Sequence, residues 1–275
     1  MLSKTLGSVL ALALAVPAVA QVQATPISSP DTQEIFSIVP RNFAPMKYYG
    51  ERPSGGVNST NWSGYAVTGT TFTKATGSWK QPKANCTKTP NTYAAFWVGI
   101  DGYASSTVEQ TGTLIVCNGT TAQYFAWWEF YPTNDIQTIS TITVSPGDKI
   151  SAEVEYNGTE FVLKITDVTT KKSFSTKGAV SGAARSSAEW IAEAPSSTSG
   201  VLPLTDFGTA EFGDDYTKVK NTNDATDSTT SGPISAFDST VEEITMVNGS
   251  SGKDEAVPSS LTTDGSSFTV VWKSE

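Results

Sequence analysis

Apolar and polar residues alternate in short runs along most of this chain, with a period of two. From Lys149 onward, Ile150, Ala152, Val154 and Tyr156 alternate with Ser151, Glu153 and Glu155; Asn157-Gly158 marks a turn, and Phe161, Leu163 and Ile165 resume the pattern before Val168. Successive side chains on a strand point to opposite faces, so this run predicts a half-buried hairpin. Ile139–Val144, Val241–Val247 and Phe268–Trp272 repeat the alternation, with Gly, Asn, Asp and Ser between runs. Helical periodicity nearly vanishes beyond Asn61. The pattern therefore predicts an all-β body, an antiparallel sandwich or barrel, in one domain without an internal linker. Residues 213–232 are too polar to follow it and are expected to form a surface loop, or a disordered segment.

Three runs place charge on otherwise apolar strands. In Tyr124–Tyr131 the period separates Tyr124, Ala126, Trp128 and Phe130 from Phe125, Trp127, Glu129 and Tyr131; only the second face is charged, and it is expected to line a cleft. In Phe96–Gly102, Trp97 and Asp101 share a face opposite Phe96, Val98 and Ile100. In Ser187–Ala194, Glu189, Ile191 and Glu193 share one face and Ala188, Trp190 and Ala192 the other. Burying a carboxylate on such a strand is costly without a purpose, which singles out Glu193. Val108–Gly112 adds an amide, Gln110. Aromatic faces also suit a glycan-stacking surface, and paired carboxylates also equip glycosidases.

At the N-terminus, Lys4 precedes an apolar run, Val9–Val16, that closes with Ala18-Val19-Ala20. Residues 1–20 read as an export signal, the apolar run being well short of the roughly 20 residues a membrane span needs, and the protein is expected to be secreted. Residues 21–56 are rich in Pro, Ser and Thr, with one short helix predicted from Pro30, capped by Ser29 and stopped by Pro40. They read as a pro-segment or as a leader with no inhibitory role; residues 57–275 form the body. If inhibitory, the segment is expected to set Arg41, Lys47 or Arg52 against cleft carboxylates such as Glu193, Glu129 or Asp101.

Composition removes several chemistries. The chain has no histidine, which excludes Ser-His, Cys-His and His-ligated zinc sites. Beyond residue 60 there are 14 basic and 24 acidic residues, a body that repels nucleic acid and anionic membrane and that self-repels where its carboxylates are ionised. Cys86 and Cys117, on neighbouring predicted strands of an exported chain, are expected to form a disulfide. Six N-x-S/T sequons occur, at Asn58, Asn61, Asn85, Asn118, Asn157 and Asn248, but several are expected by chance in so Ser/Thr-rich a chain, and they do not establish glycosylation.

Five motifs occur in order from Asn61 onward: Asn61-Trp62-Ser63-Gly64, Trp97-Val98-Gly99-Ile100-Asp101-Gly102, Glu109-Gln110-Thr111-Gly112, Trp127-Trp128-Glu129-Phe130-Tyr131-Pro132 and Ala188-Glu189-Trp190-Ile191-Ala192-Glu193. Together they resemble the glutamic peptidases, or eqolisins. The resemblance implies a lectin-like sandwich of two bent antiparallel sheets and a catalytic dyad of Gln110 and Glu193. It also implies that Trp62, Trp97, Asp101, Trp127 and Glu129 line or brace the substrate site, and that residues after Pro132 form a hairpin over it. Such an enzyme acts on polypeptides, needs no metal or organic cofactor, and is expected to be a monomer. Two positions depart from the family pattern, Phe125 in place of an Asp and Pro195 in place of an aromatic. Glu109 is expected to point away from Gln110, and Glu189, roughly 13 Å along the strand from Glu193, to be a hydrogen-bonding brace. A non-catalytic lectin-like module that binds glycans on Trp62, Trp97 and Trp127 is the alternative.

Overall fold

The period-two runs become strands because a strand is the geometry in which each can bury one face. In the computed structural model, which describes Pro40, residues 43–53 and residues 55–274, strands follow one another along nearly the whole chain. They are β1 Tyr48–Glu51, β2 Val57–Ser59, β3 Trp62–Thr68, β4 Lys74–Lys80, β5 Tyr93–Ile100, β6 Val108–Asn118 and β7 Thr121–Tyr131. There follow β8 Gln137–Thr138, β9 Lys149–Tyr156, β10 Phe161–Asp167, β11 Lys172–Gly178, β12 Ser187–Glu193, β13 Ser196–Ser197 and β14 Gly200–Val201. The last are β15 Thr209–Phe212, β16 Asp224–Thr226, β17 Ser231–Pro233, β18 Val241–Val247, β19 Asp254–Pro258 and β20 Phe268–Trp272. Helix among the described residues is one turn, α1 Asp214–Thr217, and a 3-10 segment, Ile234–Thr240; none is long and apolar enough to cross a membrane. The export signal and the helix expected from Pro30 lie outside the described residues.

Pairing makes one antiparallel ladder folded on itself. The first layer runs β8, β7, β6, β5, β12, β3, β18. The second runs β20, β15, β4, β9, β10, β11. Strand β19 pairs with β18 and with β20, and so joins the layers. A parallel pairing of β2 with β18 adds the β1–β2 hairpin to the first layer. The expected sandwich is thus observed, with Tyr65, Phe96, Val98, Ile115 and Trp190 of one layer buried among Trp79, Ile150, Val154, Leu163, Phe212 and Phe268 of the other. Two indoles of this core keep their N–H groups paired: Trp79 donates to Thr113 Oγ1 at 2.9 Å and Trp190 to the Thr76 carbonyl at 2.6 Å. Cys86 and Cys117 are disulfide-bonded, and Cys86 stands in the loop before β5 rather than on a strand.

The hairpin from Lys149 forms with Tyr156 opposite Phe161, so residues 157–160 connect the strands and Asn157 Oδ1 accepts from the Thr159 and Glu160 amides. Two expectations are corrected. Ile139–Val144 is not a strand; Ile139, Ile142 and Val144 are buried in irregular chain after the two-residue β8, so their alternation is satisfied by burial without pairing. Residues 213–232 carry α1, β16 and the start of β17, and Thr217, Thr222 and Asn223 among them face inward. Ser78 Oγ meets Thr217 Oγ1 at 2.8 Å and Thr222 Oγ1 at 2.7 Å, while Asn223 accepts from the Ser78 amide and donates to the Ser266 carbonyl. Hydrogen bonds hold this segment where an apolar face would hold another.

Candidate active site

The outer face of the first layer carries a second apolar cluster that includes Trp62, Ala95, Trp97, Leu114, Trp127 and Ile191. Register places the polar groups of interest among them. Gly112 lies opposite both Trp97 and Trp127, so Gln110, two residues earlier, shares that face and lies opposite Gly99 and Glu129. Glu193 on β12 lies opposite Trp62 on β3 and Ala95 on β5. The glycine of the Gln-Thr-Gly motif has a steric cause. A Cβ at Gly112 would stand 2.2 Å from the Phe96 carbonyl oxygen and 2.6 Å from Trp97 Cβ, and one at Gly99 would stand 2.8 Å from the Trp97 ring. Trp97 can lie flat against its neighbours only because both positions lack a side chain.

Trp97 in turn positions the carboxylate. Its indole N–H donates to Glu193 Oε2 at 2.8 Å, and its ring meets Trp62 edge-on with centroids 4.9 Å apart. Gln110 Nε2 donates to Glu129 Oε2 at 3.0 Å. Gln110, Glu129, Glu193 and the three indoles are all fully buried. Burial pushes the Glu193 carboxyl well above the ordinary carboxylate range; the Trp97 indole pulls it down, and the Glu129 charge pushes it further up. Burial raises Glu129 as well, against the pull of hydrogen bonds from the Phe43 amide and Gln110.

The chain's own residues 43–47 cover this face. Phe43 is fully buried with its ring 4.1 Å from the Trp127 ring; its N–H donates to Glu129 Oε2 at 3.1 Å and its carbonyl accepts from Gln110 Nε2 at 3.0 Å. The next carbonyl, of Ala44, accepts from Trp62 Nε1 at 3.2 Å and Asn61 Nδ2 at 3.4 Å, and Asn61 Nδ2 also reaches the Pro45 carbonyl at 3.2 Å. Gln110 on β6 and Trp62 on β3 are three strand spacings apart, about 14 Å at the usual 4.8 Å. Their side chains nevertheless converge on consecutive peptide carbonyls, and Glu193 and Trp97 stand on the two strands between.

Of the expected site residues, Gln110, Glu193, Trp62, Trp97, Trp127 and Glu129 come together on this face. Asp101 does not. It ends β5 at φ 69° and accepts from the Arg185 amide at 2.6 Å and from the Ser186 amide at 2.9 Å, pinning the end of β5 to the entry of β12. Arg52 pairs with Asp254 at 3.0 Å rather than with a cleft carboxylate, and Arg41 lies outside the described residues. Lys47 bears on the site through charge, which lowers the Glu193 carboxyl slightly. Sequence reasoning passed over Phe43 and Asn61. Asn61 heads a motif quoted for its tryptophan, while Phe43 opens a short apolar stretch, residues 43–46, with no alternation to mark it.

A carboxylate and a carboxamide on one face of an antiparallel sandwich, with a peptide laid over them, place this chain among the glutamic peptidases. Residues 60–270 match the model of the Peptidase A4 family, and the chain belongs to that family. It is 30% identical over 177 residues to Aspergillopepsin-2 of Aspergillus niger, a match that covers 56% of this chain and 62% of that protein. Among solved structures, aspergilloglutamic peptidase from Aspergillus niger is similar at 28% identity and a TM-score of 0.54, over 66% of this chain and 99% of that one. Scytalido-glutamic peptidase with a transition state analog inhibitor shares the fold at 23% identity and a TM-score of 0.63, over 78% of this chain and 98% of that one.

Proposed function

We propose that the protein is an exported acid endopeptidase in which Glu193 and Gln110 form the catalytic dyad. Ionised Glu193 takes a proton from a water that attacks the scissile carbonyl, the Gln110 amide donates to the developing oxyanion, and Glu193 then protonates the leaving nitrogen. Glutamine suits its part because it donates through nitrogen and accepts through oxygen without changing charge. The observation that carries this reading is the 3.0 Å hydrogen bond from Gln110 Nε2 to a peptide carbonyl on a face that also holds the buried Glu193. Gln110 Oε1 and Glu193 Oε1 find no hydrogen-bond partner among the described residues, so each has an acceptor left for the attacking water. Glu129 is a positioning residue, since it accepts from the same Gln110 nitrogen.

A glycan-binding surface would present its indoles. Trp62, Trp97 and Trp127 are instead fully buried, packed on one another or under Phe43, and two of them donate to polar partners within the site. The test is cleavage of a denatured protein in acid by the wild-type chain, Glu193→Gln and Gln110→Ala. Cleavage by wild type alone supports the dyad, and cleavage by either variant at the wild-type rate removes that residue from it.

A further inference from the structure

We infer that the Phe43–Ala44 peptide is the first bond the enzyme cuts, in its own chain, and that the Phe43 pocket beside Trp127 sets a preference for a large aromatic side chain on the acyl side of the scissile bond. This rests on the peptidase reading and names its substrate. The Phe43 carbonyl is the one the Gln110 amide grips, so its carbon occupies the place of attack. Both sides of that bond are anchored as a substrate must be. On the acyl side the Phe43 N–H is tied to Glu129 and the ring is sealed against Trp127. On the amine side the Ala44 and Pro45 carbonyls are held by Trp62 and Asn61, the Met46 N–H donates to the Gly102 carbonyl at 3.0 Å, and the Lys47 N–H donates to Asn61 Oδ1 at 2.7 Å. Clamping a peptide through its backbone on both sides of one bond fixes its position along the chain, and one deep side-chain pocket then supplies selectivity.

Hydrolysis here adds the water oxygen to the Phe43 carbonyl carbon and breaks the bond to the Ala44 nitrogen, which takes the proton from Glu193. The products are a carboxyl end at Phe43 and an amino end at Ala44. Residues from Ala44 onward remain with the body through the Asn61 contacts and the β1–β2 pairing, while the Phe43 side is free to leave the pocket to substrate.

The full-length chain is brought to acid pH and its products are read by mass and N-terminal sequence, alongside Phe43→Asp and Glu193→Gln. A second assay uses the converted wild type on two peptides that differ only in Phe against Asp before an Ala-Pro pair. The expected results are a new N-terminus at Ala44, conversion slowed at least ~10-fold in Phe43→Asp and abolished in Glu193→Gln, and a preference of at least ~10-fold for the Phe peptide. An active enzyme that converts at another bond, with Phe43→Asp unaffected and the two peptides cut alike, overturns the inference and leaves the peptidase reading intact. Where Phe43→Asp does not fold, the peptide pair and the wild-type N-terminus decide alone. Failure of wild type to cleave any polypeptide, its own included, overturns both.

Discussion

Glu193 and Gln110 are asked to do different kinds of work, and their surroundings differ accordingly. Glu193 is a titrating group in a buried pocket, held by a hydrogen bond from the Trp97 indole and raised by burial and by Glu129. Gln110 does not titrate and is oriented by a neighbouring carboxyl. Glu193→Gln keeps the shape of the side chain but removes the proposed base, and Gln110→Ala removes the proposed oxyanion donor. Each is expected to lower kcat by at least ~100-fold with the melting temperature near wild type, read by initial rates on a denatured protein substrate together with thermal unfolding. Burial and the Glu129 charge hold the Glu193 carboxyl above the ordinary range, so the acidic limb of the rate profile is expected to lie above the value of a free glutamate.

At the scale of the strands, the site depends on the close approach of β5 and β6 at Gly112. There a side chain would collide with the Phe96 backbone, which cannot swing aside without losing the ladder. Gly112→Ala is therefore expected to cost about 1–3 kcal/mol as an overpacking change and to displace Trp97, the donor to Glu193, so that activity falls with stability. Denaturant unfolding and cleavage rate measured on the same variant check this; an unchanged midpoint and rate would show that β5 moves freely. Strand alternation also separates neighbours. Glu109 points away from Gln110 into a buried region shared with Asp101 and Glu189, so Glu109→Gln should leave the rate of cleavage nearly untouched.

The same buried carboxyls govern the whole molecule's response to pH. Burial first, then the charge of Asp101, pushes Glu109 up to about 9; burial also raises Glu189 well above its ordinary value, with Asp101 and Glu109 adding to it. A group whose folded value is raised contributes its full stability below its unfolded value, near 4.5, where both states hold the proton. Above that the unfolded chain sheds a proton that the folded chain keeps, and stability falls by up to ~1.4 kcal/mol per pH unit per group until the folded value is passed. The window for Glu109 runs from about 4.5 to about 9. Without histidine, and with a net charge of −9 at pH 7, nothing offsets this between those limits. The melting temperature should fall steadily from pH 4.5 toward pH 8, and Glu109→Gln or Glu189→Gln should flatten the decline. A melting temperature independent of pH across that range would show that these groups do not bear on stability.

Alternation along single strands was enough to determine which face each of Trp97, Gln110, Trp127, Glu129 and Glu193 occupies, because side-chain direction on a strand is local and has a period of two. An all-β body, sandwich or barrel, followed from the same pattern, repeated, and the family resemblance implied the sandwich. Alternation could not say that Ile139–Val144 would be buried without pairing, nor that Thr217, Thr222 and Asn223 would turn inward to Ser78, since each depends on partners far along the chain. Asp101 shares strand parity with Trp97 yet leaves the site, because β5 ends there and the backbone turns. Least legible of all was Phe43. Its role comes from Gln110, Glu129 and Trp127, which lie between 67 and 86 residues away, and only the pairing of β6 with β7 beside β5 and β12 gathers them into a place for it. The sequence alone determined the chemistry each strand carries; the tertiary structure decided which of those groups meet, and what they hold.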